Sequence, residues 1–152
     1  MSRQTRELLL VEDSEDDADL TLRAFRSARM DCKIVLVRDG TQAIDYVFAR
    51  GGWAGRNPNQ LPFLILLDLK MPNASGLDVL REIRQNPQTR LIPVVVMSCS
   101  TEQTDIVSSY EHGANSYIRK PVDFMEFAKA FELIGRYWLA LNQSPFAEGG
   151  RT

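Results

Sequence analysis

The sequence is most informative first through what it has little of. Two cysteines, Cys32 and Cys99, and one histidine occur in 152 residues. Two cysteines make no disulfide framework, and both adjoin apolar runs, so they read as reduced core thiols. The lone histidine, His112, near a helix end, reads as a solvated partner of the helix dipole. No long hydrophobic run occurs. The apolar stretch at 8–11 is too short for a signal peptide or a membrane span, so the chain reads as soluble and cytoplasmic. A net charge of −2 gives nucleic-acid binding no support from bulk electrostatics. No glycine-rich loop follows the first apolar run, where the acidic EDSEDD stands instead and repels phosphate. That weakens a flavin or dinucleotide site.

What is present is regular. Five apolar runs recur at Leu8–Val11, Ile34–Val37, Leu64–Leu67, Val94–Met97 and, more weakly, Ser116–Ile118. They are continuous, not alternating, which predicts strands covered on both faces, as in a parallel sheet. Helical spacing fills the intervals at Glu15–Ala28, Thr41–Arg50, Gly76–Gln85, Thr104–His112 and Phe124–Leu141, with Gly51-Gly52 as the second stop. The expected fold is an α/β sandwich of five β-α units with right-handed crossovers. One domain spans 6–141. Residues 142–152 form a frayed tail, and no output domain is expected. The connection at 51–62 is long for such a fold; it is either a passive excursion or a contact arm anchored by Trp53.

In an open α/β sheet, ligands bind at the carboxyl ends of the strands. The predicted strands present Glu12 and Asp13, then Asp68, Ser98 and Lys120 at that edge. Like charges a few Å apart repel strongly, so three carboxylates need a cation. All are hard oxygen ligands unaccompanied by histidine or cysteine, which points to Mg²⁺ and a phosphoryl group. Asp68, ending LILLD before a Met71-Pro72 corner, suits a carboxylate nucleophile. Plainer readings exist for each residue: Glu12 and Asp13 as helix caps, Ser98 as a strand-end cap, Lys120 as a surface charge. Their convergence favours the site.

Glu12-Asp13, Asp68 in LILLDLKMPNASGLD, Ser98 and Lys120-Pro121 together resemble the receiver domains of two-component response regulators over residues 6–140. The resemblance implies a flavodoxin-like sandwich with strand order 2-1-3-4-5. It implies that Asp68 accepts phosphate from a histidine kinase. Asp13, Asp68 and the Lys70 backbone carbonyl would hold Mg²⁺, with Glu12 acting through water. Ser98 and Tyr117 would form a coupled switch pair, Lys70 and Ser100 would flank the hydrolytic water, and the peptide before Pro121 would be cis. The long loop and GTQAIDYVF are similar to stand-alone regulators that partner bacterial phytochromes.

The 124–141 helix carries one apolar stripe, Phe124, Phe127, Phe131, Ile134, Trp138 and Leu141, expected against the sheet. A second stripe, Leu133, Tyr137 and Ala140, lies to one side and suggests a homodimer through the surface of the fourth helix, fifth strand and fifth helix. An alternative function is a Mg²⁺-dependent phosphatase of haloacid-dehalogenase type. That class wants a second aspartate two residues after the nucleophile, where Lys70 stands.

Overall fold

Side chains from both sides of the sheet cover the five apolar runs, which is why they read as unbroken rather than alternating. Leu8 to Val11, Leu64 to Leu67 and Val94 to Met97 are all fully buried, as central parallel strands require. The computed structural model describes residues 6–71 and 73–146. The elements run β1 (Glu7–Val11), α1 (Glu15–Ser27), β2 (Lys33–Val37), α2 (Gly40–Phe48), β3 (Leu64–Asp68), α3 (Gly76–Gln85), β4 (Val94–Ser98), α4 (Gln103–Glu111), β5 (Ser116–Arg119) and α5 (Phe124–Arg136). Every strand pair is parallel, in the order β2-β1-β3-β4-β5. The flavodoxin-like fold expected from the sequence is the one observed. Pro72 lies outside the described residues, so the corner expected there is not described.

Two apolar layers flank the sheet. Leu8, Leu10, Leu64, Leu66, Val95 and Met97 meet α1 and α5 through Phe25, Phe127, Phe131 and Ile134. Phe25 and Phe131 pack edge to face at 6.0 Å, a geometry aromatic rings favour. The alternate residues, Leu9, Val11, Ile65, Leu67, Val94 and Val96, meet α2 and α3 through Val47, Val79, Leu80 and Ile83. Side-chain alternation along each strand thus feeds one layer and then the other.

Helix starts follow local chemistry. The Ser14 side chain caps α1, Asp39 accepts from the Gln42 N–H at α2, and Asp123 accepts from the Met125 and Glu126 N–H groups at α5. The end of α2 differs from expectation. It stops at Phe48, where Ala49 takes the left-handed conformation at φ 54° before Gly51 is reached.

The apolar stripe of α5 holds only in its middle. Phe127, Phe131 and Ile134 are buried and Trp138 packs partly against the same layer. Phe124, in the first turn, lines an open groove against Leu20 and Arg23 of α1, and both Phe124 and Leu141 are exposed. The helix widens to a π-turn over Tyr137–Leu141, with the Asn142 N–H donating to the Tyr137 carbonyl at 2.7 Å. The wider turn shifts the angular phase, so Leu141 no longer continues the stripe. Cys32 is half-buried, but Cys99, expected in the core, is exposed. Residues 142–146 are not wholly frayed either, since Phe146 packs against the α2–α3 layer.

The 51–62 excursion is pinned at the amino edge of the sheet. The Trp53 ring stands edge-on to Tyr46 at 5.0 Å. The Arg56 guanidinium covers the Tyr46 ring at 4.1 Å, a cation–π stack, and donates to the Tyr46 carbonyl at 2.7 Å. The Gln88 amide donates to Pro58 and Asn59 oxygens from the far side. Trp53 therefore anchors the loop to its own domain, at the end opposite the carboxylates.

Candidate functional site

The doubly wound topology opens a crevice at the carboxyl ends of β1 and β3, where successive connections leave toward opposite faces. Glu12 and Asp13 follow β1 immediately, Asp68 closes β3, Ser98 closes β4, and Lys120 follows β5. Backbone pairing continues past the strand ends: the Glu12 N–H donates to the Val37 carbonyl at 3.0 Å and the Lys120 N–H to the Ser98 carbonyl at 2.8 Å. Glu12 and Lys120, just past their strands, are thus still fixed by hydrogen bonds to the neighbouring strands.

Carboxylate oxygens of Glu12, Asp13 and Asp68 lie within 4.8 Å of one another. Glu12 and Asp68 are buried and Asp13 is exposed. The Lys120 ammonium lies 2.6 Å from Glu12 Oε2, 3.0 Å from Asp17 Oδ2 and 3.5 Å from Asp68 Oδ2. Glu12 accepts a second hydrogen bond from the Ser14 N–H at 3.1 Å, and Asp68 Oδ1 lies 3.4 Å from the Lys70 N–H. The side chain of Lys70 itself is exposed.

The electrostatics follow from this crowding. Burial, then the Glu12 charge, and then hydrogen bonds with Glu12 and Asp13 push the Asp68 carboxyl up to about 8, against the opposing pull of Lys120. Burial alone would lower the Lys120 ammonium. The Glu12 hydrogen bond, the charges of Asp68 and Glu12, and the Asp17 hydrogen bond outweigh it and hold the group above its ordinary value. One ammonium therefore does not neutralise the cluster. The donor set, three carboxylates with hard oxygens and one open to solvent, fits a small divalent cation.

Ser98 and Tyr117 meet through Ser100. The Ser98 Oγ accepts the Ser100 N–H at 3.1 Å, and the Tyr117 hydroxyl donates to the Ser100 carbonyl at 3.0 Å. The Ser100 hydroxyl donates to Asp105 Oδ2 at 2.5 Å and accepts the Glu102 N–H at 3.2 Å. The β4–α4 turn is tied to β5 and to the first turn of α4 through this one residue.

Two expectations change. The peptide before Pro121 is trans, and no cis peptide occurs among the described residues. The trans form is the ordinary preference for X–Pro bonds, by about 0.5–1 kcal/mol. The sequence also gave no separate role to Asp17, whose carboxylate reaches Lys120. In the sequence, Ser14 through Asp17 reads as a helix cap, a local role that leaves the reach of Asp17 to Lys120 unmarked.

A doubly wound sheet that gathers an acid trio, a buried lysine and a hydroxyl at one edge defines a class of small signalling modules. The chain belongs to the response regulator receiver domain family, whose model matches residues 8–132. It is 40% identical to the probable methanogenesis regulatory protein FilR2 of Methanothrix harundinacea, over 91% of this chain and 86% of that protein. It is 34% identical to response regulator Rcp1 of Synechocystis, over 96% of this chain and 97% of Rcp1. The Mn²⁺-bound crystal structure of Rcp1 matches with a TM-score of 0.86 over 93% of this chain and 99% of that one. The phosphorylated cyanobacterial phytochrome response regulator RcpA, 34% identical, matches at 0.87 over 94% of this chain and all of that one. The family match leaves the haloacid-dehalogenase alternative without support. Among the described residues, no helix is long and apolar enough to cross a membrane.

Proposed function

We propose that this protein is a signalling switch that accepts a phosphoryl group on Asp68 from a histidine kinase. The observation that carries the reading is the placement of Asp68: buried at the end of a fixed strand, beside two further carboxylates, with the Lys120 ammonium 3.5 Å from its Oδ2. An Asp68 oxygen attacks the phosphorus of a phosphohistidine. The new O–P bond forms as the N–P bond breaks, and the imidazole leaves with a proton. Asp13, Asp68 and the Lys70 carbonyl would hold Mg²⁺, with Glu12 acting through water. That cation, when bound, neutralises phosphoryl oxygens during the in-line transfer. Lys120 supplies a fixed positive charge to the phosphoryl group, and Ser98 a hydroxyl donor.

Once Asp68 is phosphorylated, Ser98 turns its hydroxyl toward the phosphoryl oxygens. Its contact with the Ser100 N–H passes the change to Tyr117 and α4, a two-state surface biased by one charge. The protein is a phosphoryl acceptor in the cytoplasm and not a turnover enzyme, and a phytochrome-type kinase is the donor that the RcpA likeness favours. Lys70 and Ser100 flank the water that hydrolyses the acyl phosphate.

The output surface is a homodimer contact through α4, β5 and α5, with no nucleic-acid partner. Val107 and Tyr110 on α4, Leu133 on α5, and Tyr137 and Leu141 in the π-turn that follows it are all exposed, more apolar surface than a solvated face needs. Light scattering with and without a phosphate mimic tests this part, and a monomer under both conditions overturns it. For the acceptor, a phosphorylated histidine kinase in Mg²⁺ is expected to label the wild type and not Asp68→Asn. Equal labelling of both overturns the assignment.

A further inference from the structure

Two helices of this chain begin with the same four-residue pattern, and their acids do different things. At α3, Ser75 and Asp78 form a reciprocal cap: the Asp78 N–H donates to Ser75 Oγ at 3.3 Å, and Asp78 Oδ2 accepts the Ser75 N–H at 3.2 Å. At α1, Ser14 and Asp17 stand at the same positions, and the Asp17 N–H likewise donates to Ser14 Oγ at 3.3 Å. The return bond, however, is taken over. The Ser14 N–H donates to Glu12 Oε1 at 3.1 Å, and the Asp17 carboxylate turns instead to the Lys120 ammonium at 3.0 Å.

The Asp17 backbone is fixed on both sides, because its carbonyl also accepts the hydroxyl of the buried Thr21 at 2.8 Å. A carboxylate released from capping and held this firmly is an anchor. Lys120 is 6% exposed, so its charge is met almost wholly by the side chains around it. Two of its three carboxylate contacts, Glu12 and Asp17, are at 3.0 Å or less, and the third, Asp68, is at 3.5 Å. The ammonium thus rests toward α1.

We infer that Asp17 is a positioning residue: it holds the Lys120 ammonium on the α1 side of the crevice and keeps it from pairing closely with Asp68. This rests on the reading of Asp68 as acceptor and of the acid trio as a cation site. With the anchor present, Asp68 keeps an oxygen available to a divalent cation. Without it, the ammonium settles on Asp68 and competes with that cation. Asp17 acts through Lys120 and touches neither the cation nor the phosphoryl group.

A double-mutant cycle separates this from a simple loss of charge. Mn²⁺ affinity is measured by calorimetry for wild type, Asp17→Asn, Lys120→Gln and the double variant, with circular dichroism checking that each is folded. Asp16→Asn removes an equal charge from the exposed side of the same turn, and Asp17→Glu restores the carboxylate. Asp17→Asn is expected to weaken Mn²⁺ binding about fivefold or more in the wild-type background and by less than about twofold in the Lys120→Gln background. Asp16→Asn stays within about twofold in both, and Asp17→Glu recovers most of the affinity. An equal loss in both backgrounds, or no loss in the first, overturns the inference. Failure of the wild type to bind Mn²⁺, or to take phosphate from acetyl phosphate on Asp68, overturns the underlying reading instead.

Discussion

Lys120 Nζ and Glu12 Oε2 stand 2.6 Å apart, buried to 6% and 0% side-chain exposure, though 108 residues separate them in the chain. Breaking such a pair from one side leaves an uncompensated buried charge, at a typical cost of about 3–5 kcal/mol. Lys120→Met strands Glu12 and leaves Asp17 and Asp68 without their shared cation. Urea unfolding near neutral pH in chelator is expected to show a loss in that range, partly reversed by a saturating divalent cation. An unchanged midpoint contradicts the role given to this contact.

Asp68 makes a second prediction, about pH. Its carboxyl titrates near 3.8 when free and is pushed up to about 8 in the fold, first by burial and then by Glu12. Between those values the folded state binds more protons than the unfolded one, so stability falls as pH rises through the window. Above it both states are ionised and the full cost of the buried charge remains. Thermal unfolding in chelator from pH 5 to pH 8.5 is expected to show a decline with rising pH. In Asp68→Asn the decline flattens and the alkaline Tm is higher than that of the wild type.

The Tyr117 hydroxyl ties β5 to the turn after β4 through the Ser100 carbonyl. Tyr117→Phe removes that single hydrogen bond and keeps the ring, so a loss of about 0.5–1.5 kcal/mol is expected. Faster amide exchange at Ser100 and Glu102, with β1 and β3 unchanged, is the accompanying sign. Uniformly faster exchange everywhere argues against a local tether.

At Gly76 the chain passes so close to the end of β3 that a Cβ would lie 2.6 Å from the Asp68 carbonyl and 2.9 Å from the Leu69 Cα. Both neighbours are backbone and cannot swing aside. Gly76→Ala is expected to cost about 1–3 kcal/mol, as overpacking does, and to weaken divalent-cation binding by displacing Asp68. Wild-type affinity in this variant places the Asp68 carboxylate outside Gly76's reach.

The sheet was legible because Leu8–Val11, Leu64–Leu67 and Val94–Met97 need cover on both sides, a requirement written in composition alone. The acids and Lys120 were legible because strand ends in this fold point to one edge. Asp17 was not, because Ser14 through Asp17 reads locally as a helix cap, and only Glu12's capture of the Ser14 N–H frees the carboxylate for Lys120. The exposed carboxyl end of the α5 stripe, Leu141, was hidden for another reason. A π-turn at Tyr137–Leu141 changes the angular period without leaving a mark in the residue pattern.

The most direct measurement is chemical marking of the acceptor. An acyl phosphate is reduced by borohydride, which converts the phosphorylated aspartate to homoserine with loss of phosphate and leaves free carboxylates intact. After phosphorylation in Mg²⁺ and reduction, peptide mass spectrometry is expected to find homoserine at position 68 alone. Homoserine at Asp13 or another carboxylate, or none after confirmed transfer from the kinase, contradicts the account.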